Sequence, residues 1–239
     1  DTVHTYINKN FTEIEPEQIE TNTHNVRQIS GCIFKDINIP TRDFYIKAET
    51  ELLFYDNIFE NTANPTTDTA GVFLDNYNGK ITISNCKFIR IASRGNDCLV
   101  INTNSENDGS QLELVIERSE FIDCGRTGHN YPLCNTVNNQ GVIKFIECNF
   151  TFSRPDFSFQ VLETKCNNNA VFEGCRFTNC ASNSIRLVTQ SNVENPIGTF
   201  VFRNNYVKSN QGCLILGGKL RSKPIIENNI IESTTLNNS

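Results

Sequence analysis

What most limits the folds open to this chain is a short pattern that keeps returning along it: a bulky apolar residue, a small or amide residue three positions later, and another apolar residue two beyond that. It reads Ile29, Cys32, Phe34; Phe54, Asn57, Phe59; Ile83, Cys86, Phe88; Ile116, Ser119, Phe121; Phe145, Cys148, Phe150; Phe172, Cys175, Phe177; Phe202, Asn205, Val207; and Ile226, Asn229, Ile231. Taking the middle residue as anchor, successive copies lie 25, 29, 33, 29, 27, 30 and 24 residues apart. Self-similarity at this period is the mark of a solenoid, in which each copy buries its apolar face only against its neighbours.

Within a copy the apolar residues alternate, as in Ile81, Ile83, Cys86 and Phe88, and that is strand periodicity. A second apolar run follows in most copies, at Phe44–Ile46, Val72–Leu74, Leu99–Ile101, Phe159–Leu162, Ile185–Val188 and Cys213–Leu216. Each coil therefore carries at least two strands, and equivalent strands of successive coils can stack only in parallel, ~4.8 Å apart. The expected fold is all-β: a single-stranded parallel β-helix of about eight coils, right-handed by the general preference of parallel crossovers. The helix is assigned to residues 27–233. Residues 1–26 are read as an N-terminal cap or a degenerate first coil built on Ile7-x-x-Asn10, and 234–239 as a polar tail.

The eight anchors, Cys32, Asn57, Cys86, Ser119, Cys148, Cys175, Asn205 and Asn229, form an expected interior ladder in which thiol, hydroxyl and amide exchange for one another. Ten cysteines suit an oxidising compartment. Cys124 with Cys134, and Cys175 with Cys180, are the candidate disulfides, among many pairings that the count allows. No Cys-x2-Cys spacing occurs and only three histidines are present, so no metal and no cofactor is expected. The Asn104–Gly109 segment has oxygen ligands but lacks the alternation and closing Glu of a calcium loop.

A formal charge of −6 with no basic run argues against nucleic acid or an anionic membrane as partner. No apolar segment is long enough to span a bilayer. The chain opens at Asp1 with polar residues, as a mature or recombinant fragment would. Asn10-Phe11-Thr12, Asn149-Phe150-Thr151 and Asn237-Asn238-Ser239 fit the N-glycosylation sequon; Asn10 and Asn149 are the candidate acceptors, and alternation turns Asn149 outward. Polar insertions at 61–70, 102–111 and 125–141 are where a solenoid usually binds. The last of these gathers Arg126, His129 and Tyr131 as a candidate binding loop, and Lys219, Arg221 and Lys223 form a smaller basic cluster.

Glycoside hydrolysis needs two carboxylates about 5 to 10 Å apart, and lyase chemistry needs a tuned base. The outward positions of the main strand column include Arg203, and Glu117, Lys144 and Glu173 among them are expected to form a stripe of alternating sign across three adjacent coils; with no Asp-Asp pair, the chain is read as a non-enzyme.

Phe54-x-x-Asn57, Phe73-x-x-Asn76 and Phe202-x-x-Asn205, with Phe121-x-x-Cys124, Phe145-x-x-Cys148, Phe172-x-x-Cys175 and Phe177-x-x-Cys180, resemble the Phe-x-x-Asn repeat of the polymorphic outer membrane proteins of chlamydiae and similar surface proteins of parasitic protists. The companion Gly-Gly-Ala motif is echoed at Gly71, Gly141 and Gly212. The resemblance implies a passenger region that works in adhesion at a cell surface. The expected function is thus an extracellular adhesin or structural module. Its partners would be a surface protein or glycan of a host or neighbouring cell, or other copies stacked end to end, without membrane insertion. The alternative is a polysaccharide-binding or polysaccharide-degrading β-helix.

Overall fold

The computed structural model describes residues 3–11, 25–35, 45–46, 51–60, 73–74, 80–90, 101–102, 113–124, 126–127, 132–135, 142–151, 157–158, 160–164, 169–179, 185–188, 199–209, 214–217 and 223–233. All regular structure among them is strand. No helix there is long and apolar enough to cross a membrane.

Two nine-stranded, wholly parallel sheets form the body of the molecule. The first stacks Val3–Ile7, Asn25–Ser30, Glu51–Tyr55, Lys80–Ser84, Glu113–Glu117, Val142–Ile146, Asn169–Glu173, Phe200–Arg203 and Ile225–Glu227. The second stacks Asn10–Phe11, Ile33–Lys35, Ile58–Glu60, Lys87–Ile89, Glu120–Ile122, Asn149–Thr151, Arg176–Thr178, Tyr206–Ser209 and Ile230–Ser233. One strand of each makes a rung, and rungs follow in chain order, so the chain is a parallel β-helix. A third wall holds Ile101–Asn102, Pro132–Asn135, Gln160–Thr164, Ile185–Val188 and Leu214–Gly217, also parallel. Tyr45–Ile46 pairs in parallel with Phe73–Leu74.

The rungs number nine, one more than the eight clear copies of the pattern. Val3–Phe11 supplies the first, and its register differs from the one its own sequence suggests. Tyr6 stands against Ile29 and Phe11 against Phe34, which puts Lys9 at the anchor level, where Ile7-x-x-Asn10 would have put Asn10. A register shift between His4 and Thr5 accompanies the change. Matching the apolar pair Tyr6 and Phe11 to the interior columns decides the register, because a slip of one residue would turn every side chain to the wrong face.

The interior is built from columns. Ile29, Phe54, Ile83, Ile116, Phe145, Phe172 and Phe202 form one on the first sheet, with Leu52, Ile81, Leu114, Ile143, Ala170 and Phe200 beside them, all buried. On the second sheet Phe34, Phe59, Phe88, Phe121, Phe150 and Phe177 stack face to face, with centroids 4.4 to 5.4 Å apart and planes within 10° of parallel. The rung spacing imposes this geometry: identical rings in register must stack at the strand repeat. Each buried ring contributes roughly 1.5–3 kcal/mol by leaving water. Above Phe177 the stack passes to Val207, and on the first sheet Phe172 packs tilted against Phe200 and Phe202, which lie nearly parallel to each other.

Candidate functional site

Between its first and second strand each rung turns a corner of two residues. The first adopts a left-handed backbone in all nine rungs: Asn8, Gly31, Asp56, Asn85, Arg118, Glu147, Gly174, Asn204 and Asn228, with φ from 46° to 65°. Asn, Asp and Gly tolerate this region; Arg118 and Glu147 hold it because the corner bonds around them persist. The Arg118 N–H donates to the Ile146 carbonyl at 2.9 Å, and that of Glu147 to Glu173 at 2.8 Å.

The second corner residue is the anchor. Bending the chain there leaves two backbone groups of each rung facing inward, the N–H of the anchor and the carbonyl three residues before it. The anchor side chain of the following rung meets one or both of them. Asn57 accepts from the Cys32 N–H and donates to the Ile29 carbonyl, both at 2.9 Å. Asn205 does the same for Cys175 and Phe172 at 2.8 and 3.0 Å, and Asn229 for Asn205 and Phe202 at 2.9 and 2.8 Å. Ser119 accepts from the Cys86 N–H at 3.1 Å and donates to Glu117 in its own rung. A thiol has one weak proton to give. Cys32, Cys86, Cys148 and Cys175 share theirs between the carbonyls of Tyr6, Phe54, Ile116 and Phe145 in the rung before, at 3.3 to 3.7 Å, and those of Ser30, Ser84, Ile146 and Glu173 in their own rung, at 3.3 to 3.6 Å.

Burial accounts for the ionisation of these thiols. It pushes Cys86 up to about 12, raises Cys148 well above the ordinary thiol range with Cys175 adding to the effect, and raises Cys32. A thiol held protonated is a poor nucleophile and a poor metal ligand. No cluster of three or more His, Cys, Asp or Glu suited to a metal ion is found among the described residues.

Two expectations for the cysteines change. Cys175 is a free, buried thiol committed to the corner column, so its expected bridge to Cys180 is not formed; Cys180 itself lies outside the described residues. Cys124 is wholly buried and donates to the Phe88 carbonyl at 3.2 Å. It follows Asp123, a residue with φ 51°, and so repeats the corner device farther along the rung instead of reaching outward toward Cys134. Arg90 and Asn179 take the same left-handed backbone at the equivalent position, φ 50° and 57°. The Phe-x-x-Cys pattern thus serves two corners, Phe145 to Cys148 at one and Phe121 to Cys124 at the other.

The candidate binding loop also changes character. Pro132–Asn135 is a strand of the third wall, Cys134 standing in register between Ile101 and Leu162. Arg126–Thr127 pairs antiparallel with Phe157–Ser158. His129 and Tyr131 lie outside the described residues, as do Lys219 and Arg221, so neither cluster can be assembled as a site.

What remains in view are the two outward sheet faces. Together the nine rungs hold ten Lys and Arg against ten Asp and Glu, so the formal −6 of the chain resides in the connecting segments. Register separates the expected stripe of Glu117, Lys144 and Glu173: Glu117 is level with Ile146 and Glu173, while Lys144 is level with Val115 and Val171. Lys144 lies 3.8 Å from Glu113 instead, and Glu117 meets Arg118 and Ser84. Arg203 spans Glu173 at 2.9 Å and Glu227 at 3.6 Å, and these carboxylates hold its guanidinium pKa above the usual range. On the second sheet Glu60 takes Lys35 and Arg90, Lys87 takes Glu120, Arg176 lies 4.2 Å over the Tyr206 ring, and the Tyr206 hydroxyl donates to Glu232. That hydrogen bond raises the Tyr206 pKa.

The first sheet is different at rungs two to four. There Ser30, Tyr55 and Ser84 stand in register in one column, with Ser30 buried at its end; Gln28 donates to Ser30 Oγ at 3.1 Å and to the Tyr55 hydroxyl at 2.7 Å, and Asn85 donates to Asp56 at 2.6 Å. Tyr55 is 36% exposed. This is a hydrogen-bonding patch around one exposed aromatic ring, with the Asp56 carboxylate at its edge. Sequence reasoning passed over it because none of its residues stands out alone; only register brings them together.

No protein-family model matches the chain, and neither the curated proteins nor the solved structures offer a significant match.

Proposed function

We propose that this chain is an extracellular, cell-surface β-helix that acts as an adhesin or assembly module, a stiff rod that presents one lateral face to a surface protein or glycan. The observation that carries this is the division of the first sheet. Its later rungs tie their carboxylates to Arg118, Lys144 and Arg203, whereas around Tyr55 the wall offers an exposed aromatic ring with the Gln28 and Asn85 amides beside it, held by paired strands before any partner arrives. An amphipathic ring of this kind suits a partner that is apolar on one side and hydrogen-bonding on the other. Catalysis fits the same face less well, since Glu173 and Glu227 share Arg203 and Glu60 is held between Lys35 and Arg90. The likeness of the repeat to that of the chlamydial polymorphic outer membrane proteins supports the reading, because Asn57, Cys148, Cys175 and Asn205 of its motif are the residues that cap the corners.

Glycan-array and cell-surface binding by the purified chain tests this. Binding that falls at least tenfold in Tyr55→Ala, with the oligosaccharide ligand recovered intact, is the expected result. Turnover of a sugar polymer, or binding indifferent to Tyr55, would overturn it.

A further inference from the structure

Asn149 stands outward on the second sheet and is exposed, as is Thr151, while Phe150 between them is buried in the ring stack. Strand alternation imposes that arrangement: a sequon laid along a strand puts its amide and its hydroxyl on one face and its middle residue on the other. Anchor asparagines cannot share it. Asn57 and Asn205 face inward, and two residues on each has the buried Phe59 or Val207 in a core column where a hydroxyl would find no place. The strand sequon at Asn149 therefore falls where the amide is presented to solvent.

Asn10 occupies the same column. Successive registers place Asn10, Ile33, Ile58, Lys87, Glu120 and Asn149 in one line, so the two sequon asparagines lie in one column five rungs apart, about 24 Å at the strand spacing. Asn10 is exposed too. The neighbours of Asn149 in the column are engaged elsewhere, Glu120 with Lys87 at 3.7 Å and Arg176 with the Tyr206 ring.

We infer that Asn149 and Asn10 are N-glycosylation acceptors, and that their glycans cover the face of the second sheet and leave the face of the first, with Tyr55, as the binding wall. The inference rests on the extracellular reading above. In the transfer, the side-chain amide nitrogen bonds to the anomeric carbon of the first sugar as that carbon's bond to a lipid diphosphate breaks; the diphosphate leaves and the amide proton passes to a base.

The test is secretion of the full chain from a eukaryotic cell, followed by glycopeptide mapping before and after an N-glycan-specific amidase. Both sites are expected to be occupied, and Asn149→Gln and Thr151→Ala are each expected to empty only the Asn149 site, with the circular dichroism of the β-helix unchanged. A folded, secreted chain with Asn149 unmodified would overturn the assignment. Loss of Tyr55-dependent binding on enzymatic removal of the glycans would overturn the division of faces, whereas a fully glycosylated chain that binds nothing would count against adhesion alone.

Discussion

Within one rung, the corner between the two sheets and the return from the second sheet to the next rung obey different rules. Corners are uniform: nine left-handed residues, each followed by an anchor, with strand registers that continue across them without insertion. All variation in anchor spacing, from 24 to 33 residues over the eight clear copies, falls in the return. The corner is held because its inward backbone groups have only the next anchor to bond, while a return can lengthen at a loop-closure cost that grows slowly with length. Regularity in a solenoid is therefore needed only where backbone groups are sealed from water.

The most severe way to break this contrast is to insert one alanine at each kind of place. Between Asn85 and Cys86 it should be strongly destabilising, because Cys86 and the strand Lys87–Ile89 must change face or slip out of register before the next return can absorb the extra residue; between Ser105 and Glu106 it should cost less than about 1 kcal/mol. Urea titration followed by circular dichroism reads both, and equal effects would sink the distinction.

Next in size is the ring stack. Phe121→Ala removes a fully buried ring lying between Phe88 and Phe150 and should cost about 3–5 kcal/mol, read as a lower urea midpoint. Asn57→Ala should cost about 2–4 kcal/mol, since it strands the buried Cys32 N–H and Ile29 carbonyl together. Asn57→Ser should recover part of that, as Ser119 meets a corner N–H with a hydroxyl. A Ser variant no better than Ala would mean that amide size, not hydrogen bonding, is what the anchor supplies.

The smallest expected effect is on pH. The folded-state pKa of Cys86 is raised above its unfolded value of 9.0 to about 12, so its contribution is fully present below pH 9 and is lost as pH rises toward 12, at about 1.4 kcal/mol per unit. Stability measured from pH 8 to 11 should fall more steeply in the natural chain than in Cys86→Ser. Parallel slopes would contradict a buried, protonated thiol at this corner.

Much of this was legible because the period was strong. Alternating apolar residues around a small anchor define strands, and the repeat defines their stacking. The first rung shows where that runs out: Lys9 occupies an anchor level that no propensity would give it, since at the end of the stack the side chain reaches solvent. Pro132–Asn135 read as loop because turn-forming residues surround it, yet pairing with Ile101–Asn102 and Gln160–Thr164 makes it wall. Cys124 and Cys175 read as bridge candidates because spacing cannot tell which way a side chain points once a corner intervenes.

Periodicity alone, then, determined that the chain is a β-solenoid and which residues form its interior columns, because alternation and repeat length are local properties of the chain. Tertiary structure decided what those columns do at the corners and what stands beside what on the outside. Hydrogen bonds between an anchor and the rung before it, and the gathering of Tyr55 with Gln28, Ser30 and Ser84, join residues a whole coil apart, and only register says which of them meet.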